Sequence, residues 1–278
     1  MYQRHRYQPR LSFPAGFILL SCLLTLLSSC AKTSDEGSFG GNDAQQLQRG
    51  SEIVAEYRKR DSAPNRHALV RMTITSQDQP EKVYEFEIWR KHSPEGTMTL
   101  LQVIKPESEK NVASLSTERK GEKSVTVTYN RANNEFEEFG ADRQVFGGLT
   151  VQEMLGEWDR YESRLVGEQT LDGVKMYQVA NTLKPQEIST IKRFVALFRS
   201  DNKLPAEAHL FDSQDKEIRT YRIKEYRTIE GHPTFWRIEI ENHVRRNKLD
   251  LEVLNQSFNE RLDEKLFTRE NLKRLATA

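Results

Sequence analysis

Few side chains in this sequence stand at a spacing that could do covalent chemistry, and the clearest is a cysteine. Leu27-Ser28-Ser29-Cys30 closes an apolar run from Phe17 to Leu27 broken only by Ser21 and Thr25, with Arg4, Arg6 and Arg10 ahead of it. Positive, apolar, then small is the order of an export signal, and the run is about half the ~20 apolar residues a membrane-spanning helix needs. A cysteine at the end of that order matches the bacterial lipobox, in which the thiol is alkylated with diacylglycerol and cleavage frees its amine for a further acyl chain. Residues 1–29 are therefore expected to leave as a signal peptide, and Cys30 to tie the chain to a membrane. Ala31 stands where an Asp would retain such a chain in the inner membrane of enteric bacteria, so the expected address is the periplasm-facing outer membrane. Cys22 leaves with the signal, and the mature chain then has no thiol for a disulfide, a redox couple or a zinc-thiolate site.

The remaining candidates are weaker. Glu85/Glu87 and Glu239/Glu241 could meet on a strand face as acid and base. On a strand of period two, however, the face opposite an apolar stripe is normally solvated. Histidines at 5, 67, 92, 209, 232 and 243 never fall into a His-x-His or His-x-x-x-His spacing. No zinc or iron site is expected. Gly147-Gly148 could hold an anion before a helix, but a loop hinge beside a cap explains the pair more simply. The expectation is no catalytic residue, no metal and no cofactor. Lys plus Arg number 42 and Asp plus Glu 41 over the whole chain, a balance that offers no electrostatic grip on nucleic acid.

The elements that must position these residues follow from periodicity. Ala31 to Asp43, rich in Gly, Ser and Asp, reads as a flexible tether after Cys30, spanning roughly 20 Å as a coil and ~45 Å at full stretch. Residues 44–278 read as one domain. Leu47, Ile53, Val54 and Tyr57 recur at helical spacing between Ala44 and Arg60. The period then becomes two: Val70, Met72 and Ile74, then Tyr84, Phe86 and Ile88, alternate with polar neighbours. Strands continue at 97–104, 124–129, 164–171, 174–183, 192–199, 206–212, 217–226, 236–243 and 248–255. Thr150-Val151-Gln152-Glu153 offers a capping box for a short interrupting helix ahead of Met154, Leu155 and Trp158. Thr268 can cap a last helix over 269–275, with Phe267 and Leu272 as a hydrophobic staple. The fold class is mainly β (α+β): a single antiparallel sheet of about ten strands with about three helices. Three helices are little cover for so much apolar strand face. A curved sheet whose hollow is lined by Met72, Tyr84, Phe86, Ile88, Leu100, Phe194, Phe198 and Trp236 would reconcile the two, and such a hollow suits acyl chains.

The order of short stretches adds a resemblance. Arg71-Met72-Thr73-Ile74, Ile88-Trp89-Arg90-Lys91, Gln102-Val103-Ile104-Lys105-Pro106, Asn111-Val112-Ala113-Ser114-Leu115 and Gly147-Gly148-Leu149-Thr150 come in turn. Asp172-Gly173, Asn202-Lys203-Leu204-Pro205, Glu230-Gly231 and Leu266-Phe267-Thr268 follow. In joint order and spacing the chain resembles the outer-membrane lipoprotein-sorting (LolA/LolB-like) family over nearly all of 44–275. It departs at Glu135, Glu137 and Glu138, where relatives often carry basic residues, and at Gly147-Gly148, where they often carry an acidic one. The resemblance implies a half-barrel closed on its open side by helices, holding acyl chains of lipoproteins or lipids, in a member fixed to the membrane through lipidated Cys30. The rival expectation is a scaffold or accessory lipoprotein of an envelope transport complex, its sheet filled by its own side chains. A periplasmic hydrolase would need a converging acid/base pair that the sequence does not display.

Overall fold

A computed structural model describes residues 42–277 apart from 61–62, 78, 111, 120–121 and 157–158. The signal segment, Cys30 and the tether to residue 41 lie outside them, as does Trp158. The strand signals resolve into thirteen strands of one antiparallel sheet: β1 Asn65–Ser76, β2 Gln79–Ser93, β3 Gly96–Lys105, β4 Ala113–Arg119, β5 Val125–Asn130, β6 Glu135–Phe139, β7 Tyr161–Leu171, β8 Val174–Leu183, β9 Arg193–Arg199, β10 Pro205–Phe211, β11 Glu217–Ile229, β12 His232–Asn242 and β13 Asn247–Phe258. Three helices accompany them, α1 Asp43–Arg60, α2 Val151–Leu155 and α3 Arg269–Thr277. The sheet is curved and unclosed, a half-barrel.

Thirteen strands stand where about ten are expected, and the reason is composition. In β4, Ser114 and Ser116 alternate with Ala113 and Leu115, so one face is hydroxylic and the apolar signal is halved. The acidic run Glu-Phe-Glu-Glu-Phe of β6 has low strand propensity and is held by its pairing with β5.

The spatial order is β6-β5-β4-β3-β2-β1-β13-β12-β11-β10-β9-β8-β7. Every neighbouring pair but one is a sequence-adjacent meander. The exception, β1 with β13, joins the two ends of the chain's sheet at its centre. Its consequence is that β6 and β7, although consecutive, form opposite edges of the sheet. The segment between them, residues 140–160, must therefore cross the open side of the half-barrel.

Alternation assigns the faces. On the inner face, Met72 stands opposite Tyr84 and Leu251, Ile74 opposite Leu249, and Phe86 opposite Val103. The same face continues through Ile240 and Tyr221 to Ala208, Ala196 and Val179. α1 lays Ile53, Val54 and Tyr57 against this face over β7–β10. It comes so close to β7 that a Cβ on Gly50 would sit 2.6 Å from the Ser163 carbonyl oxygen.

α3 does not cover the open side. Its Leu272 and Ala276, with Phe267 just ahead of it, pack on the outer face against Leu100, Leu115, Val127 and Tyr129. Thr268 caps it through a bond from the Asn271 amide, at 3.2 Å.

Candidate functional site

The inner face between β3 and β12 is a floor of apolar side chains, fully buried at its centre. Met72 and Phe86 are 1 % exposed and Val103 and Leu249 0 %. Their cover is not a layer of helices. Residues 146–155 press Phe146, Leu149 and Met154 onto the floor as a plug. The Phe146 ring lies 4.7 Å from Phe86 and 5.1 Å from Tyr84, centroid to centroid. Leu149 is buried and Phe146 and Met154 partly so; full burial of such a side chain is worth about 1.5–3 kcal/mol.

Local chemistry shapes the plug. Gly147 and Gly148 both adopt positive φ, 62° and 83°. Their carbonyls turn onto the sheet rim, where Asn242 and Asn247 donate to Gly147 and Arg219 donates to Gly148. A Cβ on Gly147 would lie 2.3 Å from Leu249, so only glycine lets the backbone come this close. Thr150 caps α2: its hydroxyl accepts from the Glu153 amide while Glu153 accepts from the Thr150 amide.

Glu153 is the centre of the site's electrostatics. One of its oxygens completes the cap, accepting from the Thr150 amide and hydroxyl at 2.7 and 2.8 Å. The other lies 2.8 Å from Arg219 Nε and accepts from the Tyr221 hydroxyl at 2.8 Å. The Arg219 N–H is not aimed along that line, so the contact is an ion pair without a well-formed hydrogen bond. Both side chains are nearly sealed, 5 % and 3 % exposed. Burial first, and then the neighbouring Glu153 carboxylate, push the Tyr221 hydroxyl well above its usual range, so it stays a donor. On the other side of α2, Gln152 donates to the Tyr161 hydroxyl and accepts from Arg160 and Ser189. The plug is thus apolar where it fills and polar where it is fastened.

The residues expected to line a hollow divide into four groups. Met72, Tyr84, Phe86 and Ile88 do share one face, but under the plug. Phe194 and Phe198 lie on the same inner face further along, under α1. Leu100 faces the other way and is roofed by α3. Trp236 belongs to none of these clusters; it lies beneath the Arg227 guanidinium, 3.9 Å from its ring centroid. Pairing between β11 and β12 slips twice near Glu225, and Phe235 takes the inward place, its ring 6.1 Å from that of Tyr57. Leu100 and Trp236 are therefore corrected from inner to other positions, one by alternation and one by a bulge. Arg219, Tyr221 and Glu153 were not foreseen. The capping-box glutamate was the one signal available for them.

The paired glutamates do not converge on a cleft. Glu85 is held by Arg71 at 2.9 Å and Lys105 at 3.1 Å, and the Arg71 hydrogen bond keeps its carboxyl below the usual range. It is 7 % exposed, where a solvated face was expected. Glu239 and Glu241 share Arg222. Among the described residues, no group of three or more His, Asp and Glu is placed to hold a metal ion.

Comparison with known proteins settles the family. A family model described as an uncharacterized protein family matches residues 95–274. The chain belongs to that family. Its fold is that of the LolA superfamily. A DUF1329 family protein from Desulfovibrio piger superposes with a TM-score of 0.76 at 17% identity, over 82% of this chain and 99% of that one. A domain named for outer-membrane lipoprotein sorting, from Vibrio parahaemolyticus, gives 0.75 at 16% identity, over 82% and 100%. A LolA superfamily protein from Nitrosomonas europaea gives 0.68 at 15% identity, over 80% and 98%. No curated protein matches the sequence. The LolA-like half-barrel is therefore the frame in which the plug is to be understood.

Proposed function

We propose that this protein is a lipid-anchored component of the outer membrane, facing the periplasm, that shelters acyl chains on the inner face of its half-barrel. Its pathway would be lipoprotein sorting or related lipid transport, and its mode binding without catalysis. The observation that carries the reading is the plug. An apolar floor wide enough for acyl chains is covered by one connecting segment, residues 146–155, rather than by a second packed layer. That segment can leave without unpairing a strand. Each methylene buried in its place is worth ~0.8 kcal/mol, so about ten methylenes would match the three plug side chains.

The second reading, a scaffold of an envelope complex, draws on the same floor. Phe86 at 1 % exposure and Leu249 at 0 % leave no open hollow while the plug is seated. The two readings separate on one measurement. The full chain is photolysed with a diazirine-bearing C16 fatty acid and the cross-linked peptides are sequenced. Labels on β1, β2 and β13 support the binding protein; absence of labelling, with unlabelled lipid also missing from the purified chain by mass spectrometry, sinks it in favour of the scaffold.

A further inference from the structure

The inner floor changes character toward one end. Along β2 the inward positions run Phe86, Ile88, Arg90; along β3 they run Val103, Leu101, Thr99. The pairing then carries a row of hydroxyls across the sheet, Thr99 opposite Ser116 and Ser116 opposite Thr126. These are deeply buried, 8 %, 5 % and 2 % exposed. Apolar residues would be the natural choice there.

Two donors of this patch, Thr99 Oγ1 and Arg90 Nε, are buried without a hydrogen-bond partner among the described residues. Ser116 and Thr126 bond each other at 2.9 Å, which uses one of their two hydroxyl hydrogens and leaves the other. Arg90 already faces Glu118 at 3.9 Å and donates to the Leu155 carbonyl of α2 at 3.4 Å. Its charge is thus countered, and what Thr99 and Arg90 Nε lack is a neutral oxygen acceptor aimed at them. A buried donor left unmade is costly, so a site that keeps several in a row is arranged for a guest.

We propose that this patch receives the ester carbonyl oxygens of a glyceryl lipid whose acyl chain lies on the adjoining floor from Ile88 and Leu101 to Phe86 and Val103. The inference rests on the acyl-binding reading above and adds the ligand's polar end and its direction. The Leu155 carbonyl of α2 accepts from Arg90, so displacing the plug frees this edge of the patch together with the floor.

The test uses the full chain and two probes differing in one group, 1-monopalmitoylglycerol and 1-O-hexadecylglycerol, each kept below its critical micelle concentration. The ether has the same chain length and head but no carbonyl. The wild type should bind the ester about 5- to 10-fold more tightly, the discrimination of roughly one hydrogen bond. Thr99→Val, near-isosteric, and Arg90→Lys, which keeps a cation facing Glu118, should each bring the ratio toward one while the ether's affinity stays within about twofold. Equal affinities in the wild type would overturn the proposal: water would then satisfy the donors, and the acyl reading would survive without it. If neither probe binds, the acyl reading itself falls and this inference with it.

Discussion

Removing the Arg219 side chain asks whether the plug is a door or part of the wall. In Arg219→Met the volume is nearly kept, but Glu153, 3 % exposed, loses its countercharge. It retains the Tyr221 hydroxyl and the Thr150 donors. Breaking a buried pair by deleting one partner costs about 3–5 kcal/mol. If residues 146–155 can move alone, the molecule need not bear that cost in the closed state. It can lift the plug and hydrate Glu153, giving up the burial of Phe146, Leu149 and Met154, at most about 5–9 kcal/mol together. The open population should then rise by a factor of about 10² to a few times 10³, because each 1.4 kcal/mol is a factor of ten. Native-state hydrogen exchange reads this directly: amides of 146–155 should exchange faster by that factor while those of β1 and β13 change little, and binding of an environment-sensitive hydrophobic dye should increase. Replacing both partners, Arg219→Met with Glu153→Leu, should restore slow exchange, since two apolar groups leave no uncompensated charge. The reasoning fails if 146–155 exchange only with global unfolding in the single variant. The plug is then plain core.

Three further outcomes follow from the same geometry. Gly147→Ala meets both a φ of 62° and a contact at 2.3 Å with Leu249, and should lower stability by about 1–3 kcal/mol in a thermal melt; Gly173→Ala, at φ 76° with open space around it, should cost only about 1 kcal/mol. Glu85 has its folded-state pKa depressed, first by the Arg71 hydrogen bond, so its stabilisation is present above the ordinary value of 4.5 and is lost as pH falls through the folded value. Denaturant melts of Glu85→Gln should accordingly lie below wild type at pH 7 and converge with it in acid, and a gap that does not change with pH would refute the assignment. Cys30→Ala should abolish labelling by a fatty-acid analogue and leave the signal segment uncleaved by the lipoprotein signal peptidase; a labelled variant would refute the lipobox reading.

Much of this molecule could be read from residues near one another in the chain. Alternation in Val70-Met72-Ile74 and Tyr84-Phe86-Ile88 specified strands and their common face, because side-chain direction in a strand is a local property. Thr150 with Glu153, and Phe267-Thr268 with Leu272, announced helix starts for the same reason: a cap involves three or four consecutive residues. Sequence also pointed to a mainly β, curved sheet, from the mismatch between apolar strand face and helical cover. What it could not supply depends on where distant strands meet. Pairing of β1 with β13 puts β6 and β7 on opposite edges, and only then does the 140–160 connection become a cover for the floor. Leu100 and Leu101 are adjacent in sequence but lie in separate clusters, one under α3 and one beneath the plug. The slip at Glu225 turns Phe235 inward in place of Trp236, and no local pattern marks it, since a bulge is set by the partner strand. Arg219 and Tyr221 reach Glu153 from more than sixty residues away. A lone arginine on an alternating strand looks solvated until the fold takes water from it and leaves one carboxylate within reach.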